Sequence, residues 1–326
     1  MDERTRRELL TPDLRDRLHA VAEVDLDDLV SDFTDPARVG MLARVEVLLT
    51  GWGVPRIDTA ALAAMPRLRA IVHGAGSVKG FVGPEAFRRR IVVSSAAAAN
   101  AVPVAEFTLA AVVFAAKRVT RFAAAFRADR QSGAWELPVT GVGAYRLTVG
   151  VVGASRIGRR VIELLGGLDV HPLLADPTVD RAEARTLGVE LVELDDLLRR
   201  SDIVTLHAPS LPSTHHLLDA GRLALLHDGA TVINTARGAL IDTQALTAEL
   251  SSGRLDAVLD VTDPEPLPAD SPLYDLPNVL LTPHIAGALG NEVARLGELA
   301  VSEVERIAEG LPPAHQVRAA DLDRIA

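Results

Sequence analysis

The stretch Leu147-Thr-Val-Gly-Val-Val-Gly-Ala-Ser-Arg-Ile-Gly-Arg-Arg-Val161 limits the possible folds more than any other. It reads as a short apolar strand, Val149 to Val152, that turns at Gly153 into a helix opening near Arg156. That helix would bury Ile157, Val161 and Leu164 on one face. Strand, tight turn and helix in this order form the front half of a dinucleotide-binding unit, where free helix N–H groups and the helix dipole meet a pyrophosphate. Gly153, Ser155 and Gly158 hold the three small-residue positions of the turn, and Ser155 stands where a glycine is usual. Its hydroxyl can hydrogen-bond a phosphate oxygen. A second apolar run, His171-Pro-Leu-Leu-Ala-Asp176, ends in a carboxylate. An acid at that point accepts hydrogen bonds from the adenosine ribose and repels a 2′-phosphate, so NAD is expected in preference to NADP.

With 326 residues, the chain is long for one core and natural for two domains. It is 48% apolar but only 3% aromatic, so its core must be built of Leu, Val, Ile and Ala, as in parallel sheets flanked by helices. A formal charge of -10 argues against a nucleic-acid surface. Without cysteine there is no disulfide, Cys-ligated metal or thiol nucleophile. No signal-peptide core follows the polar N-terminus, and no apolar run is long and unbroken enough to span a bilayer. A soluble cytoplasmic protein is the expectation.

Ahead of the glycine turn, Ala20–Val24, Val45–Thr50, Leu68–His73 and Ile91–Ser95 read as strands of a small parallel α/β domain. A polar, helix-prone segment with Leu9, Leu14 and Leu18 on one face precedes them. Gly51, Gly53, Gly74, Gly76 and Gly80 follow two of these runs, at the sheet edge where ligands of open α/β sheets bind. Pro103 should begin a buried helix continuing from Glu106 to Ala125. The segment from Arg127 to Tyr145, with Trp135, reads as a long irregular excursion of the kind used as an intersubunit arm. Further strands are expected at Val189–Val192, Asp202–Pro209, Ala230–Gly238, Ala257–Val261 and Val279–His284. A final helix, about Asn291 to Glu309, would return to the first domain.

Three polar groups at strand ends suit reduction of a 2-oxo acid: Arg237, Glu265 and His284. The planar guanidinium fork matches a carboxylate and polarises the adjoining carbonyl. Hydride addition needs a proton donor with a pKa near neutrality, which is imidazole. A carboxylate such as Glu265 would orient that ring. Asp260, on the preceding strand end, can meet the nicotinamide carboxamide. His207 would serve its turn or an adenosine pocket, and His73 either a pocket wall or packing. Trp52 would cap the substrate site or lie in the core. His215-His216 carries no metal expectation: neighbouring side chains on a strand or helix diverge, and no nearby acid completes a site.

The motifs Val152-Gly-Ala-Ser-Arg-Ile-Gly158 with Asp176, Leu206-His-Ala-Pro209, Asn234-Thr-Ala-Arg-Gly-Ala-Leu-Ile-Asp242, Asp260-Val-Thr-Asp-Pro-Glu-Pro266 and Asn278-Val-Leu-Leu-Thr-Pro-His-Ile-Ala-Gly287 occur in one order. Together they resemble the NAD-dependent D-isomer-specific 2-hydroxyacid dehydrogenases, the family of glycerate, phosphoglycerate and glyoxylate/hydroxypyruvate reductases. The resemblance implies a Rossmann-type doubly wound parallel sheet at 102–287 and a smaller flavodoxin-like α/β substrate domain from 1–101 and 288–326. It implies Arg237, Glu265 and His284 as the catalytic set. Cofactor contacts would come from Gly153, Ser155, Arg156, Ile157, Gly158, Asp176, His207, Ala208, Pro209, Thr235, Ala236, Asp260, His284 and Gly287. Backbone N–H groups of the Gly74–Val78 turn, with Ala75, Gly76, Ser77 and Val78, would hold the substrate carboxylate, beside Trp52 and Arg237. The implied partners are a small 2-oxo or 2-hydroxy acid and a second copy bound through the nucleotide domain, with no nucleic acid, membrane or metal. An NAD-sensing corepressor-like regulator on the same fold is the alternative. The departures are Ser155, Val78-Lys79 where an Asp-Asn pair is usual, and a missing first strand of the substrate domain.

Overall fold

The computed structural model describes residues 1–130 and 141–322. The chain forms two compact units, one of Met1–Ala101 with Ala288–Ile325 and the other of Val102–Gly287.

The smaller unit is a four-stranded sheet of β1 (Val47–Thr50), β2 (Ala70–His73), β3 (Val92–Ser95) and β11 (Gln316–Val317), in that spatial order. The first three are parallel, and β11 runs antiparallel to β3. Alternation along the strands feeds two apolar layers. Ala70 and Val72 pack with Leu9, Leu14, Leu18, Leu296 and Val301 on one face, while Ile71 and Val93 pack with Ile57, Leu62 and Met65 on the other. The helix Val293–Ala308 thus belongs to this unit, as its amphipathic pattern predicts. No strand forms at Ala20–Val24. Thr11 and Pro12 start a helix that runs through Val21 and sinks Leu14 and Leu18 into the core, which takes these residues out of the sheet. The helix Glu3–Leu9 covers the carboxyl ends of β1 and β2, where Thr5 and Leu9 fill the space over Gly51 and Gly74. That part of the sheet edge, expected to be open to ligand, is closed by the chain itself.

The larger unit is a seven-stranded, wholly parallel sheet. Its strands are β4 (Thr148–Val152), β5 (His171–Ala175), β6 (Glu190–Leu191), β7 (Ile203–Leu206), β8 (Thr231–Asn234), β9 (Asp256–Leu259) and β10 (Val279–Leu281). The spatial order β10-β9-β8-β7-β4-β5-β6 reverses direction between β4 and β7, the switch point at which such sheets bind ligands. Val149, Val151, Ile203, Ile233 and Val258 face one helical layer, and Val152, Val204, Leu206, Val232 and Leu259 face the other. Each fully buried aliphatic side chain contributes roughly 1.5–3 kcal/mol, so both faces must be covered for the sheet to stand.

The helix expected to begin at Pro103 instead spans Ala97–Ala116 with Pro103 inside it. Asn100 N–H already bonds Ala96 O, so a full turn is closed before the proline forfeits its own bond. The helix stops where Arg118 takes a left-handed φ of 49°, and Gly143 N–H caps the Ala116 carbonyl. A second helix, Val119–Asp129, takes up the start of the stretch expected to be irregular. Trp135 lies outside the described residues. Contrary to the expectation that no apolar run would suffice, Ala97–Ala116 is long and apolar enough to cross a membrane by length and composition. In this fold its Ala105, Ala111 and Val112 are buried against β4 and helix Arg156–Leu165.

His73 is packing, not pocket wall: its ring is buried, bonded to Thr50 Oγ1 at 2.9 Å and tilted against Phe81. Burial pushes its imidazole down to about 4. An unfolded histidine titrates near pH 6.5, so between about pH 6.5 and 4 the unfolded chain binds the extra proton and stability falls as pH drops. For this group the loss is about 2 kcal/mol by pH 5. His73→Asn should flatten the fall in unfolding free energy, measured by urea titration, between pH 8 and pH 5 by that amount; an unchanged pH slope would contradict the burial assignment.

Candidate active site

The site is assembled from the carboxyl ends of the parallel strands in the larger unit. After β4, Gly153 adopts φ +97°, and a Cβ there would lie 2.6 Å from Ala208 N in the turn after β7. Only glycine lets the two turns flank the switch point so closely. Ser155 is the N-cap of helix Arg156–Leu165, with its Oγ accepting Gly158 N–H at 3.3 Å. The smallest hydroxyl residue therefore replaces glycine while closing the helix start, and its O–H remains available as a donor. The N–H groups of Ser155, Arg156 and Ile157 donate to no acceptor among the described residues. Three free donors at the positive end of a helix are what a pyrophosphate requires.

Asp176, just after β5, accepts Ala154 N–H at 2.6 Å through Oδ2 and both Thr178 N–H (2.7 Å) and Thr178 Oγ1–H (2.6 Å) through Oδ1. It braces the glycine turn and its own turn together, and Oδ2 keeps a lone pair for a ribose hydroxyl. The free helix end, the glycine cradle and this acid fit a dinucleotide. Ala208 and Ala236 are buried small residues, and Ala208 lies against Gly153. Two expected contacts are internal instead. His207 is buried under the start of the helix, with Nε2 on Thr205 Oγ1 at 2.9 Å, and burial pushes its pKa down to about 3. Thr235 turns its hydroxyl onto Thr108 at 3.0 Å. Neither side chain has surface left for a cofactor.

The catalytic candidates come together. His284 Nδ1 lies 2.7 Å from Glu265 Oε1, and both side chains are open to solvent at 51% and 44% exposure. With Nδ1–H donating to the carboxylate, Nε2 is the nitrogen that can exchange a proton. Arg237 is largely desolvated, which lowers its pKa, and the nearby Glu265 carboxylate opposes that shift. Its Nη1 donates to Ala236 O at 2.6 Å. Gly238 lies flush against Thr262, where any Cβ would collide with backbone, so the Arg237 turn and the loop leading to Glu265 are pressed together.

Two buried polar residues shape these turns. Asn234, at the end of β8, accepts Ala236 N–H at 3.0 Å and donates to Arg237 O at 2.9 Å, closing the turn that presents the guanidinium. Asp260, 1% exposed after β9, accepts Thr282 Oγ1–H (2.7 Å), Ile285 N–H (2.8 Å) and Ala286 N–H (2.9 Å). These residues bracket His284, which itself takes a left-handed φ of 56°. At 1% exposure and with three internal donors, Asp260 positions the His284 turn, and like His207 and Thr235 it has no surface left for the expected cofactor contact. Asn234 and Thr282 have no individual part in the sequence reading. The signal that could have found them is a polar residue ending an otherwise apolar strand, two or three positions from a functional group.

In the smaller unit, the N–H groups of Ala75, Gly76, Ser77 and Val78 bond no acceptor among the described residues, but Ala75 and Val78 are fully buried, so only Gly76 and Ser77 can present theirs to a ligand. Val78 packs with Ile57 and Leu62, so the Val-for-Asp departure serves the core. Lys79 is exposed beside it. Trp52 is 39% exposed and thus not core. His215 and His216 do not diverge: their rings stack at 3.9 Å, and Asp263 supplies the acid that the sequence reading found missing.

The family model described as "D-isomer specific 2-hydroxyacid dehydrogenase, NAD binding domain" matches residues 109–286. The chain belongs to the D-isomer-specific 2-hydroxyacid dehydrogenase family. It is 35% identical to a glyoxylate reductase of Thermofilum pendens over 79% of this chain and 78% of that one. A D-3-phosphoglycerate dehydrogenase of Archaeoglobus fulgidus is 33% identical over 79% of this chain but 48% of its own length. The chain thus spans about half the length of the phosphoglycerate dehydrogenases it matches. A Thermus thermophilus protein of known crystal structure superposes with a TM-score of 0.75 and 33% identity, covering 94% of this chain and 97% of that one. The larger unit is accordingly a Rossmann-type NAD-binding domain.

The ribose contact is testable. Asp176→Ala should raise the ratio of NADPH to NADH affinity, measured by fluorescence titration, because the charge repelling a 2′-phosphate is gone. An unchanged ratio would remove Asp176 from cofactor selection.

Proposed function

We propose that the protein interconverts a small D-2-hydroxy acid and the corresponding 2-oxo acid. The bonded His284–Glu265 pair with Arg237 beside it is the observation that carries this reading. When bound, NAD takes up or returns the hydride. Arg237 holds the substrate carboxylate and polarises the carbonyl oxygen, and its partial desolvation strengthens that interaction. In the reductive direction His284 gives its Nε2 proton to the carbonyl oxygen, and in the oxidative direction the same nitrogen takes the hydroxyl proton. Glu265 fixes the ring's orientation by accepting its Nδ1–H. Asp260 keeps the His284 turn in place. The half-buried N–H groups of Gly76 and Ser77 offer two donors to an anionic substrate group.

Turnover is tested by NADH oxidation at 340 nm with glyoxylate, hydroxypyruvate, pyruvate and phenylpyruvate. At least one should be reduced, and His284→Ala should lower kcat by about 10²–10⁴-fold while leaving NADH affinity near its original value. Tight NADH binding without turnover of any 2-oxo acid would overturn the enzyme reading in favour of an NAD-sensing regulator.

We further propose a homodimer formed through the nucleotide-binding unit. Phe114, Phe126 and Tyr274 are 49%, 56% and 50% exposed there. Phe114 and Tyr274 border a groove of about 460 Å³ that Val119, Ala123 and Leu280 also line. Apolar side chains gathered this way mark a protein contact. Sedimentation equilibrium should return twice the chain mass of 34.6 kDa; a species at the single-chain mass across micromolar concentrations would refute it.

A further inference from the structure

His215, His216 and Asp263 offer one ligand atom each, and the three atoms lie within 4.8 Å of one another. The arrangement follows from the backbone. His216 holds a left-handed φ of 50°, which folds the chain back so that the two imidazoles stack at 3.9 Å with 25° between their planes. As stacked, the ring planes run side by side, so serving one ion requires one imidazole to rotate about its side-chain torsions. The turn is anchored, because His216 N–H bonds Ala239 O at 2.8 Å. Asp263 is anchored separately: its carbonyl accepts Thr243 Oγ1–H at 2.6 Å, and Gly238 packs flush on the peptide joining it to Thr262.

The three groups surround a gap and do not satisfy each other. Among the described residues no hydrogen bond or ion pair joins Asp263 to either ring, and its carboxylate accepts no protein hydrogen bond. Metal–ligand bonds of about 2.0–2.2 Å place the ligand atoms of a tetrahedral ion roughly 3.3 Å apart. Closing the gap therefore takes a shift of about 1–1.5 Å by the more separated atoms, which side-chain rotations of exposed or half-exposed residues supply. Asp242 Oδ2 stands 4.0 Å from His216 Nδ1, where a carboxylate can orient the ring behind a ligand.

We propose that His215, His216 and Asp263 form a surface site for a divalent transition-metal ion of the zinc class. Two imidazoles and one carboxylate favour such ions over Mg²⁺ and Ca²⁺, which prefer oxygen-only sets. A bound ion would tie the turn after β7 to the loop that leads into Glu265. The site stands apart from the dehydrogenase reading, because none of its ligands is assigned to the reaction.

The test is isothermal titration of the untagged, chelator-treated full chain with ZnCl₂, followed by the same titration of His215→Asn, Asp263→Asn and His284→Asn. One Zn²⁺ per chain is expected, with affinity about tenfold or more weaker in the first two variants, unchanged in the third, and no heat from MgCl₂ at equal concentration. Circular dichroism melts of His215→Asn and Asp263→Asn should match the parent, which separates lost ligation from lost fold. In NMR spectra the ring resonances of His215 and His216 should move together on saturation. Absence of Zn²⁺ binding, binding that both His215→Asn and Asp263→Asn retain in full, or binding lost only in His284→Asn would overturn the proposal.

Discussion

A buried carboxylate in an apolar sheet must be surrounded by donors, and Asp260 finds all of its donors in the turn that carries His284. The residue follows β9 and its partners follow β10, so neighbouring parallel strands are joined at their carboxyl ends by one side chain. Leaving such a group unpaired would cost several kcal/mol, which makes the position of 282–286 a condition of folding the sheet. The left-handed backbone at His284 is held against its own strain by the same bonds. The placement of the His284 turn and the stability of the sheet share one cause here.

Asn234 repeats the device one strand over. Its carboxamide bridges Ala236 N–H and Arg237 O, so the guanidinium leaves the sheet from a closed turn. Glu265, exposed in a proline-rich loop, depends on the two neighbours for its place: it bonds His284, and the segment before it is pressed on Gly238. The buried residues thus hold backbone, and the exposed ones are free to meet a substrate. In the smaller unit the N–H groups of Gly76 and Ser77 are half-buried and claimed by no carbonyl among the described residues. Val78, which in the sequence looks like a change in the ligand-binding loop, is a packing residue beneath that turn.

The strand-turn-helix at Val149–Leu165 is legible in the sequence because a short unbroken apolar run gives way across a glycine to a 3.6-residue periodicity. The last strands and the closing helix are legible for the same reason. Ala20–Val24 misleads because a short apolar run does not distinguish a strand from the end of a helix, and the helix start at Thr11 and Pro12 settles it. Pro103 misleads because the bond it lacks matters less than the burial on both sides of it. His207 and Thr235 lie in the right turns but face inward, a direction that depends on which neighbour stands beneath.

Residue order alone determined the strand-and-helix alternation and the NAD-type fingerprint, and it pointed to Asp176, Arg237, Glu265 and His284 as candidates, since local periodicity and side-chain chemistry are written in one dimension. Only the three-dimensional arrangement decided that Asp260 and Asn234 anchor the functional turns, that the N-terminal helix closes part of the small sheet's edge, and that two adjacent histidines face one aspartate. Those outcomes rest on hydrogen bonds and van der Waals contacts between segments far apart in the chain, whose distances no spacing along it encodes.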